Sequence, residues 1–427
     1  MKTGTSAAYP FHHPNPQRQE NMDYTDITKA HMWSDPDQAH AIYTDMRKND
    51  PVALIETEEY MPFWAVSKHA DILEIERQHE KFLNTQNSVL IRRKEEEIRA
   101  ANPVQMRTLI NMDGAEHAAF RRLTQDWFMP KNLKTLEAKV SDLADEFVDR
   151  MLATGGECDF VSDVAIWYPL RVIMMILGVP EKDEALMLKL TQEIFGSEDP
   201  DMQREGSDDE RMKFMIDFFN YFSQLTTDRR ANPGDDVASV IANAVIDGEP
   251  IGDMEALGYY VIVATAGHDT TSASTAGGLL ALMQNPKQMN KLRNNISLLP
   301  QAIEEMFRWE TPVKHFLRTA TEDYTLRGKS IKEGDRLMMM YASGNRDEEI
   351  FANPFEFQVD RRPNKQVAFG YGVHRCLGHL LAKMEMTAFY KALLTKTTDI
   401  QLNGDPAYIH ATFVSGLKRL PVRFSAK

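Results

Sequence analysis

The chain has 427 residues, of which 43% are apolar and 26% are charged, close to ordinary globular usage. Its formal net charge of −14 argues against a nucleic-acid-binding protein, because a phosphate backbone demands clustered cations. The only cysteines are Cys158 and Cys376, which excludes a disulfide-stapled scaffold and a four-cysteine zinc site. The composition still allows one of these two cysteines to have a special role.

The N-terminus and the apolar runs bear on the compartment. Residues 1–21 are rich in proline and histidine and lack the apolar segment of a secretory signal, so we expect a flexible arm. The longest apolar run, 257–266, falls well short of the ~18 residues of a spanning helix. These features predict a cytoplasmic protein with no membrane segment and a single folded domain over residues 22–427.

Most of the middle of the chain has the apolar periodicity of amphipathic helices. Asp253 is expected to cap a long, largely buried helix that ends before Asn285-Pro286. The segment 197–209 is acidic and poor in apolar residues, which predicts an exposed loop. The predicted helices are 132–152, 183–195, 210–231, 253–284, 301–309 and 380–394.

Strand signals are few and short. A hairpin is predicted over 53–55 and 63–66, a second small sheet over 324–326, 329–331 and 336–341, and a C-terminal hairpin over 413–417 and 422–424. The alternating rhythm of strands and helices that builds a doubly wound sheet is absent from the sequence. We therefore predict a mainly α fold with small β-sheets, in the α+β class.

The most specific local pattern surrounds Cys376. Phe369-Gly370-Tyr371-Gly372 leads through His374 to Cys376 and Gly378, just before a predicted helix. Glycines allow tight turns and close approach to a flat partner, and a helix N-terminus stabilises a thiolate. An arbitrary lone cysteine is most often an inert buried side chain. The pattern Phe-Gly-x-Gly-x-His-x-Cys-x-Gly, however, resembles the haem-thiolate loop of the cytochrome P450 monooxygenases.

The resemblance implies that Cys376 ligates haem iron, with Phe369, Gly370 and Gly378 shaping the cofactor site. It also implies the family fold, a triangular prism with a long central helix over the haem. The cofactor expected is haem b, iron protoporphyrin IX.

A second motif is Glu305-x-x-Arg308 on the predicted short helix. Alone, this spacing would be an ordinary ion pair on a solvated helix face. In the family, the corresponding pair is buried and joined by a downstream arginine in a network that braces the cysteine loop. The segment 353–361 matches that region, and the resemblance makes Arg361 the third member.

The long helix carries Ala266-Gly267-His268-Asp269-Thr270-Thr271. A glycine followed by polar residues weakens a buried helix, and the simplest interpretation is a tolerated kink. The stretch resembles the family's oxygen-activation motif. By that resemblance Gly267 opens a groove for O2, and Asp269 and Thr270 form the acid–alcohol pair that controls protonation.

Cationic residues are expected to hold the haem propionates. His117-x-x-x-Arg121 places both side chains on one helical face, although an arbitrary pair of this kind is usually solvated. The resemblance makes His117, Arg121, Arg318 and His374 propionate partners, and arginine suits a carboxylate because its fork is bidentate.

The substrate pocket is also implied by the resemblance, with the segment 85–103 forming part of a lid. Its residues would be mostly apolar, which suits a compact hydrocarbon. Single valines and phenylalanines are, however, more often plain core. The implied pocket residues are Ile262, Thr265, Ala266, Val313, Phe316, Phe413 and Val414.

Several stretches, 156–160, 188–192, 264–271 and 312–314, are similar to the bacterial terpineol-hydroxylating branch. The function implied is a monooxygenase that inserts one oxygen atom of O2 into a C–H bond of a monoterpenoid such as terpineol. Alkyl-aromatic, fatty-acid and steroid substrates remain alternatives, as do a peroxygenase, a reductase fed by a nicotinamide and a non-catalytic haem sensor. We assign no chemical role to Cys158.

Soluble bacterial members of the family usually take electrons from an iron–sulfur ferredoxin and its reductase. Two cysteines cannot hold a cluster, so a separate donor is required. An acidic ferredoxin would need a basic face on this acidic chain, which we expect to be a monomer. The candidate cations are Arg121, Arg122, Lys131, Lys365 and Arg375.

Overall fold

The structure, a computed structural model, describes residues 22–101, 106–195, 198–201 and 208–427. The predicted arm, residues 1–21, lies outside the described residues, as do parts of the predicted lid and of the acidic segment 197–209. Among the described residues, no helix is both long enough and apolar enough to cross a bilayer.

Helices dominate the described chain, as predicted. In the fifth helix, an apolar stripe from Leu133 to Met151 is buried and packs against the last helix, which explains why this pattern folds as a helix here. The helices are α1 Pro36–Asn49, α2 His69–Arg77, α3 Arg93–Ala101, α4 Gly114–Gln125, α5 Pro130–Leu152, α6 Trp167–Leu177, α7 Glu184–Phe195, α8 Asp208–Ala231, α9 Val237–Ala242, α10 Asp253–Ala266, α11 Asp269–Gln284, α12 Pro286–Asn294, α13 Leu299–Glu310, α14 Tyr341–Gly344 and α15 His379–Lys396.

The strands are short and form small sheets, which confirms the predicted α+β class. The largest sheet has the order β1-β2-β10-β7-β3, and a three-stranded sheet has the order β11-β14-β4. The pairs β5-β6, β8-β9 and β12-β13 complete the set. The strands are β1 Val52–Ile55, β2 Phe63–Val66, β3 Phe82–Leu83, β4 Glu157–Asp159, β5 Val245–Ile246, β6 Glu249–Pro250, β7 His315–Ala320, β8 Tyr324–Leu326, β9 Lys329–Ile331, β10 Arg336–Met340, β11 Thr397–Leu402, β12 Ala407–Tyr408, β13 Leu417–Arg419 and β14 Pro421–Ala426.

Most strand predictions were correct in position but only some were correct in pairing. The predicted strand 413–417 was wrong in position, because the strand there, β13, begins only at Leu417. The N-terminal hairpin β1-β2 and the β8-β9 hairpin are confirmed. The prediction that β10 joins β8 and β9 was wrong, because β10 pairs with β7 and runs parallel to β2. The predicted C-terminal hairpin was also wrong: β13 pairs with β12, and β14 lies between β11 and β4.

The predicted long helix over 253–284 is interrupted. Helix α10 ends at Ala266, and α11 begins at Asp269 after Gly267 and His268. A Cβ on Gly267 would lie 2.9 Å from Cδ1 of Ile173 on α6, so only glycine lets α6 pack this closely. The expectation that Asp253 caps the helix was also wrong, because Gly252 is the cap and Asp253 is the first helical residue.

The described part of the acidic segment is not an exposed loop at every position. Asp199 is 0% exposed and its carboxylate accepts two 3.0 Å hydrogen bonds from Lys418 Nζ. Glu198 Oε2 accepts from the backbone N–H of Thr412 at 2.7 Å. Two acidic side chains therefore anchor this segment to the C-terminal strands, which the charge pattern alone does not reveal.

The main hydrophobic core contains side chains from every helix from α4 through α13 and from α15. Two smaller clusters lie on the two sides of the largest sheet. The prediction of one domain over residues 22–427 stays a prediction. What matters for the site is that α10, α11 and α15 all contribute to the main core.

Candidate active site

The cysteine loop turns as its glycines predict. Gly370 and Gly372 have φ values of +65° and +69°, a left-handed backbone that side chains rarely adopt. A Cβ on Gly372 would lie 2.5 Å from the carbonyl oxygen of Glu76, so α2 leaves no room for one. The N–H of Cys376 donates to the carbonyl of Phe369 at 2.8 Å, which closes the loop.

Two other residues of the loop have different roles. The Phe369 ring lies 4.6 Å from that of Phe307, so it anchors the loop to α13. Gly378 is the N-cap of α15 and has nothing within 4 Å of the position of a Cβ. A side chain at position 378 would therefore contact no protein atom.

Cys376 is exposed, although protein atoms lie close around its thiol. Burial raises the pKa of Cys376 above its ordinary value. The backbone N–H groups of Gly378 and His379 and the charges of Arg121 and Arg375 act in the opposite direction. The stabilisation expected at the helix N-terminus is therefore present but outweighed by burial.

His117, Arg121 and His374 lie together beside this thiol. The rings of His117 and His374 are 4.1 Å apart, and burial lowers the pKa of His117 to about 4. An Nη of Arg121 donates to the carbonyl of Arg375 at 2.8 Å. Arg318 and Arg121 both lower the pKa of His374, which burial lowers most, so the Arg318 charge belongs to the same cluster.

Arg318 has a carboxylate partner that the sequence did not reveal. Its Nη2 donates to Oε1 of Glu76 at 2.8 Å, and the Tyr341 hydroxyl donates to the same oxygen at 2.6 Å. Glu76 and Arg318 are both buried, and burial raises the pKa of Glu76. Only the contact itself could have identified Glu76, because it is 242 positions away from Arg318.

Asp113 is a second residue that sequence reasoning missed. Its Oδ2 accepts from the backbone N–H groups of Asn84 and Thr85, at 2.8 and 2.7 Å, and from the Thr85 hydroxyl. Its Oδ1 lies 3.2 Å from Nε2 of His374. One carboxylate thus connects the segment after β3, the start of α4 and the cysteine loop. The sequence did offer one signal for Asp113, which is the Asp113-Gly114 pair at the start of α4.

Glu305, Arg308 and Arg361 form one buried network. Arg308 makes two hydrogen bonds to the Glu305 carboxylate, at 2.7 and 2.8 Å, and Nε of Arg361 is 3.0 Å from both of its oxygens. Arg308 also donates to the carbonyl of Asn345, whose side chain accepts from the N–H of Val367. The network therefore reaches the residues just before the cysteine loop.

The break between α10 and α11 displays polar groups in the centre of the molecule. The Thr270 hydroxyl donates to the carbonyl of Ala266 at 3.0 Å, and Ala266 is exposed although most of α10 is buried. Asp269 is the first residue of α11, where the helix dipole favours a negative charge. Its Oδ1 lies 3.2 Å from Nδ1 of His268. The groove expected at Gly267 is thus a helix break with an exposed residue beside it.

Four of the implied pocket residues meet at the start of β7. Val313 and Val414 form an isolated antiparallel bridge, and the rings of Phe316 and Phe413 are 5.2 Å apart. These contacts bring the C-terminal turn onto β7, with aromatic and branched side chains in contact.

The three implied pocket residues on α10 differ in exposure. Ile262 is partly buried and Ala266 is exposed, whereas Thr265 is 3% exposed and its hydroxyl donates to the carbonyl of Val261. Thr265 therefore contributes little accessible surface to a hollow.

The described part of the predicted lid is tied to the same strand. The N–H of Leu317 donates to the carbonyl of Ser88 at 2.8 Å, and the N–H of Leu90 donates to Nε2 of His315 at 3.3 Å. Burial lowers the pKa of His315 to about 4, so its ring is neutral and able to accept.

A cavity of about 440 Å³ lies beside the start of α11. It is lined by Asp269 and Ser272 from α11, Ser162 and Ile166 near the start of α6, and Lys418 from β13. The exposed residues Asp201 and Arg419 also line it, so the cavity extends to the surface.

A family model described as Cytochrome P450 matches residues 45–398. The chain belongs to the cytochrome P450 family. Cytochrome P450-terp of a Pseudomonas species is 42% identical over 406 residues, covering 92% of this chain and 95% of that protein. The steroid C26-monooxygenase of Mycobacterium tuberculosis is 33% identical over 395 residues, covering 91% and 94%.

Solved structures agree with the fold. The crystal structure of CYP108D1 from Novosphingobium aromaticivorans has a TM-score of 0.87 and 41% identity, covering 94% of this chain and 97% of that one. The P450 CYP268A2 of Mycobacterium marinum, in complex with pseudoionone, also has a TM-score of 0.87, with 31% identity. The predicted P450 fold is confirmed, and the chain is a cytochrome P450 monooxygenase.

Cytochromes P450 carry haem iron, use O2 and a hydrophobic substrate, and receive electrons from redox partners. The residues of this chain fit that cofactor. An exposed cysteine such as Cys376 can become a thiolate ligand, since a coordinated thiol is deprotonated outright. The charges of Arg121 and Arg318 converge near His374 and suit negative propionates, although Arg318 already shares its charge with Glu76.

Proposed function

We propose that this P450 hydroxylates a small terpenoid such as terpineol, inserting one atom of O2 into a C–H bond. The observation that carries the proposal is the 42% identity to Cytochrome P450-terp over nearly the whole of both chains. The apolar contacts of Val313, Phe316, Phe413 and Val414 support a compact hydrocarbon substrate.

The cofactor in this proposal is haem b, held by Cys376 within the loop formed by Phe369, Gly370 and Gly378. When bound, it supplies the oxidation of the C–H bond by activated O2. His117, Arg121, Arg318 and His374 bind the two propionates. Glu305, Arg308 and Arg361 keep the loop in place through the chain of hydrogen bonds to Val367.

The acid–alcohol pair controls protons in this proposal. Asp269 lines the cavity that reaches the surface, so its carboxyl can exchange protons with water there. Thr270 holds its hydroxyl at the carbonyl of Ala266, beside the exposed face of the helix break. Gly267 keeps this break open. With haem bound, the Thr270 hydroxyl would hold a proton beside the exposed face of the break, and Asp269 would replace that proton.

The electron donor is proposed to be an iron–sulfur ferredoxin. Arg122, Lys131, Lys365 and Arg375 are exposed, and no ion pair to them occurs among the described residues. Arg375 also lines a hollow with Arg361, Arg362 and Lys383, in which Glu304 is the one acidic residue. An acidic protein could dock at this cationic hollow. Raising the salt concentration should then slow electron transfer, and an unchanged rate would argue against the docking face.

The substrate class is tested by titrating the haem-loaded enzyme with terpineol, an alkylbenzene, a fatty acid and a steroid. Terpineol should produce the spectral shift of water displacement from ferric haem at the lowest concentration, and should accelerate NADH consumption with a ferredoxin system. A tighter response to one of the other three would replace the substrate. If no compound accelerates NADH consumption, the non-catalytic sensor becomes the better hypothesis.

Two substitutions test the residue roles. Cys376→Ala should abolish the thiolate-type absorption of the reduced CO complex, and survival of that absorption would refute the ligand assignment. Thr270→Ala should retain haem and substrate but divert electrons to peroxide. A fully coupled Thr270→Ala enzyme would show that Thr270 does not control protonation. The monomeric state and the cytoplasmic location stay predictions.

A further inference from the structure

Glu76 is a buried acidic residue that the mechanism above does not use. It lies in the last turn of α2, and its side chain is only 1% exposed. Its Oε1 accepts a hydrogen bond from Nη2 of Arg318 at 2.8 Å and another from the Tyr341 hydroxyl at 2.6 Å. One carboxylate oxygen therefore connects α2 with β7 and with the residue that follows β10.

The same side chain lies against the cysteine loop. A Cβ on Gly370 would be 3.6 Å from Oε1 of Glu76 and 3.9 Å from Oε2, which are ordinary contact distances. Burial raises the pKa of Glu76, whereas Arg318, Tyr341 and the backbone N–H of Tyr371 act in the opposite direction. The carboxylate of Glu76 is thus close both to the loop that carries Cys376 and to an expected propionate partner.

The guanidinium of Arg318 is a buried cation that needs a negative partner. Arginine is not deprotonated in proteins, and a buried charge is costly unless it is paired. Its side chain is 4% exposed, and Glu76 is the carboxylate that pairs with it among the described residues. A neutral Glu76 would leave this charge without compensation. Nη1 of Arg318 donates to the carbonyl of Leu317 at 2.8 Å, and a guanidinium with five N–H groups still has donors for a further acceptor.

A haem propionate would be a second carboxylate for the same cation. The single positive charge of Arg318 would then be shared between Glu76 and the propionate. A positive charge near haem favours the ferrous state, because reduction adds an electron to the site, and a negative charge opposes it. The carboxylate of Glu76 therefore counteracts the effect of Arg318 on haem reduction.

We propose that Glu76 is a positioning residue for the cofactor, which holds Arg318 in place for a haem propionate and offsets its charge, so that ferric haem is harder to reduce. This inference rests on the proposed role of Arg318 as a propionate partner. The reaction concerned is the entry of one electron into ferric haem, and Glu76 neither gives nor takes a proton in it. Tyr341 moderates the effect, because its hydroxyl hydrogen partly neutralises the carboxylate oxygen that Arg318 also contacts.

Redox titration of the haem-loaded, substrate-free enzyme tests the proposal without measuring activity. Dithionite supplies the electrons through soluble mediators, and the ferric and ferrous absorption spectra report the midpoint potential. Glu76→Gln keeps an acceptor oxygen and the size of the side chain but removes its charge. A unit charge within about 10 Å of a redox centre changes its equilibrium constant about tenfold at the effective dielectric constant of a protein. Glu76→Gln should therefore raise the midpoint potential by about 59 mV, which is tenfold for one electron.

Two further variants separate the charge of Glu76 from its structural contacts. Glu74→Gln is the matched control, because Glu74 lies on the same helix and loses the same charge but is exposed, so that solvent screens it. Its midpoint potential should equal that of the wild type. Tyr341→Phe removes the hydroxyl hydrogen and leaves the carboxylate charge less neutralised, so the potential should fall. A general loosening of the fold would not shift the potentials of Glu76→Gln and Tyr341→Phe in opposite directions. Equal potentials for Glu76→Gln and Glu74→Gln would overturn the proposal.

Transfer of haem to apomyoglobin distinguishes this inference from the proposed function on which it rests. Arg318→Gln should lose haem faster than the wild type, because a propionate loses its partner. If Arg318→Gln keeps its haem as long as the wild type does, the propionate role of Arg318 is wrong, and the role of Glu76 is wrong with it. If Arg318→Gln loses haem faster but Glu76→Gln has the wild-type potential, only the inference about Glu76 is wrong. If Glu76→Gln does not keep the thiolate-type CO absorption, Tyr341→Phe decides, and a potential equal to or above that of the wild type overturns the proposal.

Discussion

Replacing Glu305 by glutamine should be strongly destabilising, because it breaks the buried ion network from its centre. The carboxylate is 0% exposed and accepts from Arg308, Arg361, Asn364 and the backbone N–H of Gln358. Glutamine keeps one acceptor oxygen but turns an NH2 group towards guanidinium donors. Removing one partner of a buried ion pair costs about 3–5 kcal/mol, since the remaining charges stay buried without compensation.

Urea unfolding of the haem-loaded enzyme measures this loss, with Glu304→Gln as the matched control. Glu304 is the neighbouring residue and pairs with Lys383 at 2.5 Å, but its side chain is 31% exposed. Exposed pairs contribute only about 0–1 kcal/mol. Glu305→Gln should also lose part of its thiolate-type CO absorption on standing. Equal urea midpoints for the two variants would refute the claim that the network braces the cysteine loop.

Three further predictions concern other contacts. Gly267→Ala should lower the free energy of unfolding by about 1–3 kcal/mol, because the added Cβ would collide with Cδ1 of Ile173. Adding Ile173→Val removes that Cδ1 and should recover part of the loss. A double variant no more stable than Gly267→Ala would show that the collision does not cause the loss. Burial holds the pKa of His315 at about 4 in the folded protein. The neutral ring should therefore contribute about 3 kcal/mol to the free energy of unfolding above pH ~6.5. This contribution should be lost as the pH falls towards 4, because the unfolded state binds the proton first. His315→Gln should flatten this part of the pH–stability curve, whereas the exposed His31→Gln should not. Lys418→Met should leave its buried aspartate partner without a cation, so that limited proteolysis cuts the 198–201 segment faster; an unchanged cleavage rate would show that the ion pair does not hold the segment.

Local patterns in the sequence were sufficient for most helices and for the β1–β2 hairpin, because the residues that determine those elements are neighbours in the chain. The errors arose where distant residues decide the structure. The placement of β10, for example, depends on a parallel partner more than 270 positions earlier. No periodicity reports such contacts.

The same distinction holds for the candidate site. The cysteine loop and the acid–alcohol pair are contiguous in sequence and could be predicted by resemblance. Glu76 could not, since it is defined by what it touches: it meets Arg318, which lies 242 positions further along the chain.

The contacts of Asp113 have a consequence for changing the substrate range of this enzyme. Its carboxylate connects Asn84 and Thr85, at the entrance to the predicted lid, with His374 in the cysteine loop. Substitutions that share a partner are not additive, and coupling energies of about 0.5–3 kcal/mol are usual for residues in one network. Variants of the lid and variants of the cofactor loop therefore cannot be optimised separately and then combined. A library that varies positions 84, 85 and 374 together with Asp113 would sample the combinations that single-site scans miss.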